Sequence, residues 1–392
     1  VSSDLLSQSP LSQALPSQAS APALDVEAAV RQRYSAASRE RTAELCCPVS
    51  YDSRYLAALP AELIERDYGC GDPSRHVRPG ETVLDLGSGG GKICYIAAQI
   101  VGAGGRVLGV DANDDMLALA RKYQRAIGDR LGYHNVSFYK GRIQDLALDL
   151  EVFERYLAEC PVRSAADWLR AEAHAQHLRL AQPMIAPGSI DVVVSNCVLN
   201  LVRREDRGEL FAEVFRMLRP GGRAVISDIA CDRPVPEPLQ QDAALWSGCI
   251  SGAFVEEEFV EAFAAAGFHG MRIIDRQAEP WTTVEGIEFR SLTIQAHKGP
   301  ADHNGADQTG DHDARPTELI YRGPWKSVTG DDGCVLRRGA RAALPGPAAE
   351  RYARPPYADD VISILPGENT PTGRPDSPPA SCCGPAGCRA ES

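Results

Sequence analysis

The chain has 392 residues, more than one average domain but within reach of a single decorated α/β domain. Its formal net charge of -12 argues against nucleic acid or another polyanion as partner, because phosphate binding needs clustered Lys and Arg. No stretch approaches the roughly 20 apolar residues that span a bilayer, and Val1 to Ala29 lacks the features of an export signal, so a membrane partner is not expected and a cytoplasmic location is. In that reducing setting the 12 cysteines serve metal binding, redox chemistry or packing rather than permanent disulfides.

Residues 1–25 are rich in Ser, Ala, Pro and Gln and are expected to be disordered. A helix is predicted over 26–37 and a helix-like stretch over 60–67. Between them stands Cys46-Cys47-Pro48, and after them the turn Tyr68-Gly69-Cys70-Gly71-Asp72-Pro73, which puts Cys70 on a loop. Strand and helix patterns then alternate: strands over 82–86, 106–110 and 136–139, with helices over 92–101 and 114–127. After an interruption come a strand over 190–195, a helix over 204–218 and a strand over 223–228. The pattern closes with strands over 271–274 and 291–296 without a crossover helix, which suits an antiparallel final pair.

The interruption, 149–184, carries helical periodicity in Leu150, Phe153, Tyr156, Leu157, Trp168 and Leu169, divided by Pro161. It reads as a helical insertion, either a lid or a packing elaboration. The expected organisation is therefore a domain over 26–298 containing this insertion and a C-terminal extension over 299–392. Within the extension, a small module over about 317–365 precedes a flexible Cys-containing tail.

The first strand ends in Asp85-Leu86-Gly87-Ser88-Gly89-Gly90-Gly91-Lys92 and opens a helix. Such a turn brings backbone N–H groups close to a ligand, and Asp111, ending the second strand, stands where a carboxylate binds ribose hydroxyls. A dinucleotide fingerprint needs glycine where Lys92 stands, and a P-loop needs Ser or Thr where Ile93 stands. What remains, G-x-G-x-G preceded by Asp85, resembles the class I S-adenosylmethionine methyltransferases. The resemblance implies an α/β, Rossmann-like and mostly parallel seven-stranded sheet with helices on both faces. It also implies contacts of Gly87, Gly89 and Gly91 with the methionine part of the donor, of Asp85 with its ammonium, and of Gln144 and Asp145 with its adenine. Leu218-Arg219-Pro220-Gly221-Gly222 fits the same pattern.

Three further motifs, Tyr68-Gly69-Cys70-Gly71, Ser195-Asn196-Cys197-Val198-Leu199-Asn200-Leu201 and Gly248-Cys249-Ile250-Ser251-Gly252-Ala253, resemble those of arsenite S-adenosylmethionine methyltransferases. The likeness covers about 46–298. It implies Cys197 and Cys249 as ligands of trivalent arsenic. Cys70 and one of Cys46 and Cys47 would supply the thiols exchanged during reduction and release, with thioredoxin or glutathione as reductant.

The chemistry is consistent with this reading. Thiolates suit a thiophilic centre, and sulfur-bound As(III) keeps a lone pair that can attack a sulfonium methyl group. Cys94, Cys160 and Cys231 read as small packing residues. Paired C-x-x-C knuckles for structural zinc are absent. Cys382, Cys383 and Cys388 resemble the cysteine-rich tails of some bacterial arsenic methyltransferases, and would either deliver As(III) inward or form an exposed redox or metal-binding tail. Two other functions fit the same motifs: methylation of another small metabolite, and arsenic binding without turnover.

Overall fold

The structure is a computed structural model that describes residues 24–42, 49–66, 68–299 and 317–364. Residues 1–23 of the segment expected to be disordered, the Cys46–Cys47 pair and the tail thiols Cys382, Cys383 and Cys388 lie outside the described residues. The chain divides into two compact units, Val1–Gly299 and Pro300–Ser392.

In the first unit, helix α1 (Val26–Ala37) starts where the Asp25 side chain accepts from the Ala28 N–H. Short helices α2 (Ser53–Leu56) and α3 (Ala61–Glu65) lead to the alternating core: β1 (Thr82–Leu86), α4 (Lys92–Val101), β2 (Arg106–Asp111), α5 (Asp114–Leu131) and β3 (Val136–Lys140). The insertion is helical and consists of α6 (Leu150–Glu159) and α7 (Ala165–Ala181). Then follow β4 (Ile190–Asn196), α8 (Arg207–Met217), β5 (Leu218–Cys231), α9 (Glu237–Gln240), α10 (Ala243–Ser247), β6 (Phe254–Val255), α11 (Glu256–Ala265), β7 (His269–Arg276), β8 (Thr282–Val284) and β9 (Ile287–His297).

The sheet order is β3-β2-β1-β4-β5-β9-β7, with the short β6 on β5 and β8 on β9. Strands β1 to β5 pair in parallel, whereas β9 runs antiparallel to both β5 and β7. Successive residues feed opposite faces, the period-two signature of a sheet covered on both sides. Val83, Val107 and Val192 pack with α4 and α5, while Leu84, Leu108 and Val193 pack with α8 and α11. The order reverses between β1 and β4. Ligands of open α/β sheets bind outside the C-terminal strand ends at such a switch point.

Four details differ from the sequence pattern. Arg204–Asp206 forms a 3-10 turn before α8, and β5 runs longer than expected because Leu218 already pairs with Ile190. The seven-strand path carries two extra short strands. The unexpected helix α11 buries Phe259 and Phe263 at i,i+4 spacing, with their rings 5.8 Å apart.

The second unit holds β10 (Thr317–Tyr321), β11 (Ser327–Thr329), β12 (Val335–Arg337), β13 (Arg341–Leu344), α12 (Gly346–Tyr352) and β14 (Val361–Ile364). Strand β10 pairs antiparallel with both β13 and β14, and β11 with β12. Leu319, Tyr321, Leu336 and Tyr352 form its small core. No helix among the described residues is long and apolar enough to cross a membrane.

Candidate active site

A cavity of about 440 Å³ opens at the switch point, walled by the β1–α4 turn, the ends of β2 and β3, helix α1 and the segment after β4. Gly87, Gly89 and Gly91 have φ of 66°, 51° and 86°, the left-handed region open to glycine at little cost. At Gly87 a Cβ would also stand 2.4 Å from Val198 Cγ1, so the turn lies directly against the residue that follows Cys197. Gly91 caps α4 and is not part of the wall.

Asp111 locks this turn. One of its carboxylate oxygens accepts from the Gly89 N–H and the other from the Asn113 N–H, both at 2.8 Å. Burial pushes its carboxyl above the usual range, with those N–H groups pulling the other way. Asp85 is buried and accepts from the Cys94 thiol at 3.2 Å, so Cys94 supports a wall residue as well as packing.

The buried Ser88 hydroxyl, also in the wall, has no hydrogen-bond partner. An orphaned hydroxyl on a glycine cradle beside a ribose-type carboxylate fits a polar ligand such as S-adenosylmethionine, whose hydroxyls and amino-acid end offer partners.

Gln144 lines the cavity, but Asp145 does not: its carboxylate pairs with Arg179 of α7 at 2.8 Å. The insertion also supplies wall residues, Leu150 and Glu154 of α6. Lys140 ties α6 to the sheet by bonding Asp114 at 2.9 Å and Glu154 at 2.6 Å. Helix α1 contributes Glu27, Val30, Arg31 and Tyr34. Sequence reasoning missed Ser88, Lys140, Glu154 and Tyr34 as wall residues. For Ser88 the signal was its place inside the glycine turn. For the other three nothing local announces the role.

At the far side stand the thiols. Cys197 leaves β4 with φ 63°, and Cys249 follows α10 with the same value, two of the three non-glycine residues with positive φ among the described residues. That conformation is uncommon for side chains with a Cβ and clusters at functional sites. Cys70 is brought in from its loop, and the Cys70 sulfur, the Cys197 sulfur and an Asp228 carboxylate oxygen all lie within 4.8 Å of one another. Cys249 Sγ donates to the Cys197 carbonyl at 3.4 Å. Cys197 lines the cavity, while Cys70 and Cys249 adjoin it from outside the wall.

All three thiols are buried. Hydrogen bonds with Cys249 and Cys70, then burial, push the Cys197 thiol well up, and burial raises Cys70. In the free site these two are therefore thiols at neutral pH, because the low-dielectric pocket disfavours charge. Burial likewise moves Asp228 up to about 6, although it accepts from the N–H groups of Ile229, Leu199 and Asn200.

Cys231 donates to the Phe254 carbonyl at 3.2 Å in the apolar core, whereas Cys160, expected to be a packing residue, is instead exposed where α6 ends. Cys334, in the second unit, is half-buried.

Residues 78–277 match the family described as a methyltransferase domain, and residues 309–390 match a domain of unknown function. The human arsenite methyltransferase is 30% identical over 332 residues, covering 81% of this chain and 76% of that protein. The chain belongs to the arsenite methyltransferase family. The arsenite methyltransferase of Aquipseudomonas alcaligenes is 36% identical over 236 residues, covering 59% of this chain. The chain spans 58% of that relative's length and 56% of the one from Halobacterium salinarum. The crystal structure of an arsenic(III) S-adenosylmethionine methyltransferase from Chlamydomonas reinhardtii shares the fold, with a TM-score of 0.53 at 24% identity over 81% of this chain and 96% of that one.

Proposed function

We propose that the chain transfers methyl groups from S-adenosylmethionine to trivalent arsenic held by Cys197, Cys249 and Cys70. The observation that carries this reading is the contact of Gly87 with Val198, which sets a glycine turn suited to the donor against a turn that presents buried thiols. Bound at the turn, the donor supplies an electrophilic methyl group.

On this reading Asp111 accepts the ribose hydroxyls, Ser88 finds its missing partner, and Asp85 faces the ammonium. Gly87, Gly89 and Gly91 shape the turn. Gln144 contacts the adenine, and Asp145 acts through its pair with Arg179. Arsenious acid condenses with the thiols of Cys70, Cys197 and Cys249, releasing one water for each As–S bond. The arsenic keeps its lone pair, so no general base is needed for its attack. The apolar surroundings, with Ile229, Ile250 and Phe289 packed around the cysteines, keep water away from the As–S bonds.

Methyl transfer raises arsenic formally from As(III) to As(V). Two of the sulfurs then give up an electron each, forming a disulfide and returning the methylated arsenic to As(III). An external thiol reductant, thioredoxin or glutathione, must reduce that disulfide before the next turnover. Cys46 or Cys47 would exchange with Cys70 in this step, and the tail cysteines would deliver arsenic.

Incubation with arsenite, reductant and donor labelled in its methyl group, followed by chromatographic speciation of arsenic, tests the proposal. Label in methylated arsenicals is the expected result. Absence of labelled arsenicals under donor-saturated conditions would overturn it, and label in another metabolite would name a different acceptor.

A further inference from the structure

Asn196 is the last residue of β4 and directly precedes Cys197, yet its side chain is spent on a different cysteine. Its amide oxygen accepts from the N–H of Cys70 at 2.9 Å and from the N–H of Gly71 at 3.0 Å. Its amide nitrogen donates to the Gly71 carbonyl at 2.7 Å and to the Tyr51 hydroxyl at 3.2 Å, and that hydroxyl donates onward to the Gly71 carbonyl at 3.2 Å. The residue is buried at the edge of the cavity, so breaking these bonds would leave polar groups of the Cys70 loop short of partners.

The loop is cut to fit the amide. A Cβ at Gly69 would stand 2.1 Å from Asn196 Nδ2, and one at Gly71 would stand 2.6 Å from the Ser227 side chain. Both glycines of Tyr68-Gly69-Cys70-Gly71 thus answer to close approach: the first lets the chain reach Asn196, the second lets it settle against β5. Because the clamp and the Cys197 thiol sit on consecutive residues, one peptide unit carries the register between the Cys70 and Cys197 sulfurs.

We propose that Asn196 is a positioning residue that holds Cys70 against Cys197, so that the three-thiol state of the site depends on its amide. The inference rests on the arsenic reading above and adds a substrate consequence. Arsenious acid has three hydroxyls to exchange for sulfur, and a monomethylated As(III) species has two. Releasing Cys70 therefore removes a bond the first substrate uses and the second can do without.

The test uses the full chain with Asn196→Ala and Gly69→Ala, which break the same contact from opposite sides. Gly69→Ala keeps the Asn196 amide in the chain and forces it away from the Cys70 loop by contact with the added Cβ, so it serves if the first variant folds poorly. The first readout needs no arsenic: diamide, a two-electron thiol oxidant, is added, and the rate of appearance of the Cys70–Cys197 disulfide peptide is followed by mass spectrometry. Loss of buried hydrogen bonds to the Cys70 loop should slow it ~10-fold or more in both variants. The second readout is kcat/KM for arsenite against that for monomethylarsonous acid, whose ratio should fall ~10-fold or more.

An unchanged disulfide rate in both variants overturns the proposal, as does an equal fall on both arsenicals. If the wild-type chain forms the disulfide quickly and the variants slowly, but none methylates arsenic, the functional reading has failed while the clamp stands.

Discussion

The thiol of Cys249 donates to the backbone carbonyl of Cys197 at 3.4 Å, and both residues hold φ 63°. A left-handed turn costs a residue with a Cβ about 1–3 kcal/mol, so each is held by its surroundings. The Cys197 N–H donates to the Ser227 carbonyl at 2.8 Å, Asp228 gathers the N–H groups of the residues that follow, and the Cys249 N–H donates to the Trp246 carbonyl at 3.0 Å. Equivalent turns on two distant segments aim the sulfurs at one space, which the Cys70 loop completes.

Cys197→Ser and Cys249→Ser should each lose methylation of arsenite and of monomethylarsonous acid, because a hydroxyl is a hard and easily hydrolysed partner for a thiophilic centre. Cys70→Ser should lose arsenite methylation while keeping that of the monomethylated species. Cys160→Ser, at an exposed helix end, is the control expected to retain both. Arsenic speciation by chromatography reads all four, and arsenite turnover by Cys197→Ser would remove the thiol site from the mechanism.

Asp111→Ala leaves the Gly89 and Asn113 N–H groups without their acceptor and takes away the partner proposed for ribose. Donor affinity should fall ~10- to 100-fold, the range expected for an unsatisfied buried hydrogen-bonding group. Arsenite binding should hold steady. Calorimetric titration of each ligand checks this, and wild-type donor affinity in the variant would take Asp111 out of the site.

The raised Cys70 and Cys197 thiols make a statement about pH. Neutral thiols condensing with neutral arsenious acid release water and no protons. A site of thiolates would instead take up one proton per sulfur and lose affinity ~10-fold per pH unit for each. Between pH 7 and 8, above the value of about 6 for Asp228, arsenite affinity should therefore stay flat. The binding enthalpy should also be the same in buffers of different ionisation enthalpy. Affinity that drops steadily with rising pH would mean that the free site is ionised.

Lys140→Ala cuts the tie between α6 and the sheet at Asp114 and Glu154. Because Leu150 and Glu154 belong to the cavity wall, the KM for the donor should rise a few-fold while the KM for arsenite stays put. Steady-state kinetics with each substrate varied in turn separates the two. An effect confined to arsenite would place α6 on the other side of the cavity.

The elements of the core were legible in the sequence because their causes are local. Period-two valines and leucines, bounded by glycine turns, write β1, β2 and β4 directly into the chain, and the same glycines announce the donor turn. Cys197 and Cys249 could be singled out from the residues around them. Neither the left-handed turn that each adopts nor the upward push on the Cys197 thiol could be read, since both are imposed by what packs around them.

Asn196 shows the limit most clearly. Its partner Cys70 lies 126 positions away, and the two meet because the loop before β1 folds back over the ends of β4 and β5, a closeness that no local spacing records. Asp145 is the counterpart: its place after β3 pointed toward the adenine, but Arg179, 34 residues on in the insertion, takes its carboxylate. Local patterning decides which residues form the sheet, and only the folded sheet order decides which side chains find each other across it.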